Sequence, residues 1–107
     1  MKRLHNLEQL QQAKQSGPLS LIFVKTSSCS VCDAVLPQVE QLLQRYPAIS
    51  GHLVSLEEVP QVSGELLVFT APAILLFAEG KEVLRESRFI IFEQLEEQLQ
   101  TWSEVLG

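Results

Sequence analysis

The chain has 107 residues, with 13 Asp and Glu against eight Lys and Arg, for a net charge of −5, and only two cysteines. That length suits one domain around one core, residues 1–107. The basic residues are scattered without a cluster, which argues against nucleic acid as a partner. The longest apolar run, Ala71 to Ala78, is far short of the roughly 20 residues that span a bilayer. The opening Met1-Lys2-Arg3 is followed by no apolar stretch, because Glu8, Gln9, Gln11, Gln12 and Lys14 interrupt it. The sequence therefore reads as cytoplasmic, with no signal peptide and no membrane partner.

Leu4, Leu7, Leu10 and Ala13 recur at three-residue spacing, Asn6 is available as an N-cap, and Ser16-Gly17-Pro18 supplies a stop, which predicts a first helix. Leu19 to Val24 is β-branched, aromatic and almost continuously apolar, as expected of a strand covered on both faces in the middle of a sheet. Beyond Cys29-Ser30-Val31-Cys32, the residues Val35, Leu36, Val39, Leu42, Leu43 and Tyr46 keep helical spacing up to Pro47. Pro37 inside that pattern predicts a kink near the first third. Leu53 to Leu56 reads as a second central strand, followed by a weakly patterned stretch containing Pro60 and Gly64. Ala73 to Ala78 is a strand, Glu79-Gly80-Lys81 a hairpin turn, and Glu82 to Ile90 the returning strand, placed at an edge by its charges. Phe92, Leu95, Leu99, Trp102 and Val105 or Leu106 mark a closing amphipathic helix, with Glu93, Glu96, Glu97 and Glu104 as its solvated face. The order αβαβ(α)ββα predicts an α/β layered domain with a mixed sheet.

Cys29 and Cys32 lie where the first strand gives way to a helix. Two thiols at this spacing can bridge without closing a large loop. The unpaired N–H groups of the first helical turn and the helix dipole would stabilise a thiolate on Cys29. Cys29 is thus the candidate nucleophile, and Cys32, one turn further in, the candidate resolving thiol. The same spacing also fits half of a zinc site. A metal would need two more ligands, and neither His5 in the N-terminal segment nor His52 beside Gly51 in a loop shows ligand spacing; both read as surface histidines. In a reducing compartment a lone cysteine pair is more often catalytic or metal-binding than structural.

The strand before the Cys-Ser-Val-Cys motif, Pro37 in the helix after it, Thr70-Ala71-Pro72-Ala73-Ile74-Leu75-Leu76-Phe77, and Glu79-Gly80-Lys81-Glu82 ahead of a strand and a terminal helix together resemble the thioredoxin family over nearly the whole chain. The resemblance implies a thioredoxin fold, α/β, with a central mixed sheet flanked by helices on both faces. It implies a thiol-disulfide oxidoreductase acting on disulfide-containing proteins. A thioredoxin reductase or other electron donor would restore the dithiol, with no bound cofactor and no metal. It further implies that Pro72 is cis and faces the dithiol, so that the backbone of Ala71 can pair with a substrate segment; residues alone leave a trans proline opening a strand as open as a cis one.

The departures from the family are specific. Ser28 stands where thioredoxins usually carry Trp, Ser30-Val31 replaces Gly-Pro, and Phe23 falls where thioredoxins have a buried acid that is thought to take the resolving thiol's proton. Asp33 stands where Lys or Arg is common, either as a modulator that disfavours nearby thiolates or as a solvated acid in the first helical turn. Arg88 falls near a family glycine beside the dithiol. It would pair there with Asp33 or a thiolate, or else be an exposed edge-strand arginine. A second functional class stays open: a binding module gripping a peptide along Ala71-Pro72, with Val31, Phe69 and Phe89 as an apolar rim. Burial in the core is the commoner fate of such residues.

Overall fold

The computed structural model describes residues 1–107. Its elements run β1 (Lys2–Leu4), α1 (Leu7–Lys14), β2 (Leu19–Lys25), α2 (Ser30–Gln44), β3 (Ile49–Ser55), α3 (Val62–Leu66), β4 (Ala73–Ala78), β5 (Lys81–Ser87) and α4 (Phe92–Leu106). The five strands form one sheet in the order β1-β3-β2-β4-β5.

β2 organises the sheet. Every residue from Leu19 to Val24 is buried, as continuous apolarity requires of a strand with both faces covered. It pairs in parallel with β3, from Leu19↔Ile49 to Lys25↔Ser55, and antiparallel with β4, from Leu19↔Ala78 to Val24↔Ala73. Side chains alternate across a strand, so Ile22 and Val24 enter the core under α1 and α3, while Leu19, Leu21 and Phe23 enter the core under α2 and α4. The mixed sheet and the helices on both faces agree with the fold expected from the sequence. The hairpin also falls where expected: Ala78 pairs with Lys81. Glu79 and Gly80 between them both have positive φ, 51° and 84°, the backbone of a two-residue type I′ turn.

Four expectations are corrected. Leu4 belongs to a short strand, not to the first helix: Asn6 has extended backbone and its side chain accepts the Gln9 N–H at 2.8 Å, so the helix begins at Leu7. The preceding residues pair in parallel with β3, from Lys2↔His52 to Leu4↔Val54. β3 starts at Ile49, four residues before the apolar segment, because polar Ser50 and small Gly51 conceal it. Ser50 Oγ donates to the carbonyls of Ser16 and Leu19. A methyl group on Gly51 would come within 2.7 Å of Leu43 Cδ1, so the absence of a side chain lets α2 approach the strand. β5 ends at Ser87 and not at Ile90, since Arg88 turns the chain with φ 66°. In α4, where the sequence left two residues open, no correction is needed: Leu106 packs against the core and Val105 is exposed.

His52 is the fourth correction. It is not a surface loop residue; it lies on β3 with 5% exposure, and neither ring nitrogen has a partner within the chain. Burial is the main cause that pushes its imidazole below the usual 6.5, and the positive charges of Lys2 and the N-terminus add to it. The unfolded chain therefore takes up this proton first. The stability that neutral His52 provides is complete above pH 6.5 and declines as pH falls from there toward the lowered folded value. Urea titrations of wild type and His52→Leu over this window are expected to show the wild type losing stability with acid more steeply than the variant. Parallel curves would refute the assignment.

Candidate functional site

β2 ends at Lys25 and a turn over Thr26 to Ser28 delivers Cys29 to the N-terminus of α2. Cys29 is the N-cap, with extended backbone, and its Sγ accepts the Cys32 N–H at 3.0 Å. The sulfur thus occupies the place a Ser or Asp oxygen would take at an ordinary helix start. It receives both a direct hydrogen bond and the positive end of a 15-residue helix. Cys29 is half-buried, whereas Cys32 is 1% exposed. The two are joined by a disulfide with Cα atoms 5.2 Å apart. No group of three or more His, Cys, Asp or Glu side chains gathers to form a metal site.

The register Val24↔Ala73 brings the residue before β4 to the exit of β2, where the cysteines begin. That residue is Pro72, buried, and the Ala71–Pro72 bond is cis. Ala71 and Cys29 both pack at the margin of the core under α2 and α4. Ala71 lies outside the strands, and no loop or side-chain hydrogen bond engages its N–H or carbonyl. The Pro72 carbonyl accepts the Arg88 N–H at 2.8 Å, so the β5–α4 connection is tied to the proline. Cys29, Cys32, Ala71, Pro72 and the Arg88 backbone therefore share one end of the sheet.

Two candidate modulators do not meet. Asp33 is exposed, its N–H donates to the Cys29 carbonyl at 3.2 Å, and neither it nor Arg88 belongs to an ion pair. Arg88 is exposed in a bend beyond the edge strand, in the left-handed backbone region, which costs a non-glycine residue roughly 1–2 kcal/mol. Phe23, which the resemblance places where the family has a buried acid, is fully buried in the same apolar cluster as Cys32. Of the apolar trio left between rim and core, Val31, Phe69 and Phe89 are 49%, 72% and 85% exposed, and so lie outside the core.

Glu57 is the residue that sequence reasoning missed. One of its carboxylate oxygens accepts both the N–H and the Oγ–H of Ser27, at 2.8 and 2.7 Å, and the other accepts the Ser55 hydroxyl at 3.0 Å. It thereby anchors the turn two residues before Cys29. The only signal was the parallel pairing of β2 with β3, which continues as Leu56 N–H to Lys25 C=O and sets residues 26–28 beside residues 56–58. The hydrogen bonds from Ser27 are the main cause that holds the Glu57 carboxyl down to about 2.

These features define a dithiol–disulfide protein of the thioredoxin fold. The thioredoxin-like protein YdfQ of Bacillus subtilis is 40% identical over 99 residues, which cover 92% of this chain and 88% of that protein. The H-type thioredoxin of Fagopyrum esculentum is 32% identical over 78 residues, 73% of this chain and 67% of its own. Among solved structures, a thioredoxin from Halobacterium salinarum superposes with a TM-score of 0.88 at 17% identity, covering 99% of this chain and 93% of its own. Plasmodium falciparum thioredoxin gives 0.85 at 15% identity, covering 94% and 98%. No family model matches the chain. The chain belongs to the thioredoxin family and is a thiol-disulfide oxidoreductase.

Because the Glu57 carboxyl sits at about 2 in the folded protein against 4.5 ordinarily, its contribution to stability is present above pH 4.5 and is lost as pH falls toward 2. Glu57→Gln is expected to flatten the stability curve in that interval. It should also speed hydrogen exchange of the Ser27 amide at neutral pH, and an unchanged Ser27 exchange rate would remove the anchor.

Proposed function

We propose that the protein reduces disulfide bonds in other proteins, with Cys29 as nucleophile and Cys32 as resolving thiol. The carrying observation is the Cys32 N–H donated to Cys29 Sγ at 3.0 Å from the start of α2, while Cys32 itself is buried. The same donors that hold the sulfur of the disulfide favour a thiolate on Cys29 once the pair is reduced. That thiolate attacks one sulfur of the substrate disulfide; a Cys29–substrate bond forms, and the other substrate sulfur leaves as a thiolate. Cys32 then loses its proton and attacks Cys29 Sγ, closing the intramolecular disulfide and releasing the second substrate thiolate. Two electrons pass to the substrate, and an external dithiol donor such as a thioredoxin reductase returns them.

The unbonded backbone of Ala71, held in place by the buried Pro72, gives an extended substrate segment an edge to pair with as an added strand. Phe23, buried in the same apolar cluster as Cys32, fills the place where the family's acid would take the resolving proton. That proton goes instead to another acceptor, such as water or the departing thiolate. A pair with these roles works in a reducing compartment such as the cytosol, where structural disulfides are rare.

The test is trapping. Cys32→Ser is expected to accumulate a mixed disulfide through Cys29 when mixed with a disulfide-bonded protein such as insulin, visible as an adduct that dithiothreitol releases. Cys29→Ser should form none, and its reductase rate should fall to the uncatalysed background. An adduct through Cys32 in the Cys29→Ser protein at the wild-type rate would reverse the roles. With no adduct in either variant the mechanism fails.

A further inference from the structure

Resting on the substrate reading above, we infer that the surface beside Pro72 selects disulfide-bearing segments that carry an acidic residue next to a large apolar one, with Arg88 as the specificity-determining charge. The charge and the apolar surface both lie at that end of the sheet. Arg88 is rooted there by its N–H bond to the Pro72 carbonyl at 2.8 Å. Its left-handed backbone, φ 66°, and the Phe89 N–H bond to the Ser87 carbonyl at 2.8 Å fix the bend from which the side chain leaves. The chain has 13 carboxylates for eight Lys and Arg, yet Arg88 pairs with none of them. Arg85, which faces the same depression, is already occupied by Glu82 and by the carbonyls of Leu66 and Leu67. A partner's carboxylate is the natural counterion for the charge that remains.

The apolar part is equally local. Seven large apolar side chains are exposed, and five of them, Val31, Leu67, Phe69, Phe89 and Ile91, come from the first turn of α2, the α3–β4 connection and the β5–α4 connection. Leu67, Phe69 and Arg88 line one depression of about 320 Å³, large enough for a bulky side chain. Scattered single apolar residues on a surface need no explanation; a concentration beside one unpaired cation does. An extended segment paired at Ala71 alternates its side chains, so neighbouring residues can reach the depression and the guanidinium.

The experiment uses the full chain with dithiothreitol as reductant. The substrates are synthetic peptides that each carry a single mixed disulfide with one constant aromatic neighbour and differ only in an acidic, amide or basic residue beside it. At low salt the wild type is expected to favour the acidic over the amide peptide by about fivefold in kcat/KM through KM, as one rim ion pair allows, with the basic peptide last. Arg88→Gln should erase the ranking and Arg88→Glu invert it, and added salt should compress the wild-type ranking. Inversion by charge reversal is something a merely structural loss at Arg88 would not produce. Equal KM values for the three peptides, with all of them reduced, overturn the inference while leaving the reductase reading intact. Failure to reduce any of them overturns both. A stable dimer with Phe69 and Phe89 protected from solvent also overturns it, by making a second copy of the chain the occupant.

Discussion

The site depends on the pairing of β2 with β4. Once Val24 stands opposite Ala73, the chain leaving β2 toward Cys29 and the chain entering β4 through Pro72 must lie side by side. The register is fixed by what a slip would do: a shift of one residue would turn Phe23, Ile22 and their neighbours to the opposite faces of the sheet and undo both apolar clusters. Burial of β2 on both faces thus sets the dithiol and the cis proline at the same end of the sheet. Parallel pairing with β3 then does the same for Glu57 and the turn it anchors.

The chemistry follows from two sulfur environments one helical turn apart. Cys29 is accessible and sits at the positive end of α2, taking a backbone N–H. Cys32 is enclosed by apolar side chains, Phe23 among them, which oppose charge on its sulfur. In the proposed mechanism, a nucleophile favoured as an anion and a partner disfavoured as one give the exchange a direction: the outer thiol attacks first and the inner one waits until a mixed disulfide brings an electrophilic sulfur to it. Phe23 in the acid's place leaves that second step without the proton acceptor the family resemblance would supply.

Much of this was legible in the sequence, and the parts that were not have physical reasons. Strong patterns read correctly: the unbroken apolarity of Leu19 to Val24, the 3.6-residue spacing after Cys32, and the Glu79-Gly80 turn. β1 was hidden because a three-residue edge strand buries only Leu4, and Leu4 happens to fall at helical distance from Leu7. The first half of β3 was hidden because its inward side chains, Ser50 and His52, are polar residues satisfied or neutralised by context that only the packed sheet supplies. The dithiol and Pro72 were visible as motif and resemblance. Glu57 was not, since its role arises from a pairing between segments about thirty residues apart. The exposure of Val31, Phe69 and Phe89 was undecidable beforehand, because composition does not distinguish an apolar rim from an apolar core.

The most direct test of the central claim is the reduction potential of the Cys29–Cys32 couple, measured by equilibrating the purified protein in dithiothreitol or glutathione redox buffers and trapping the free thiols. A reversible two-electron transition toward the reducing end of the range for such motifs, at about −270 mV, is the result expected of a protein-disulfide reductase. A protein that never closes the intramolecular disulfide would contradict redox function. A couple poised at about −120 mV would contradict the direction of electron flow proposed for it.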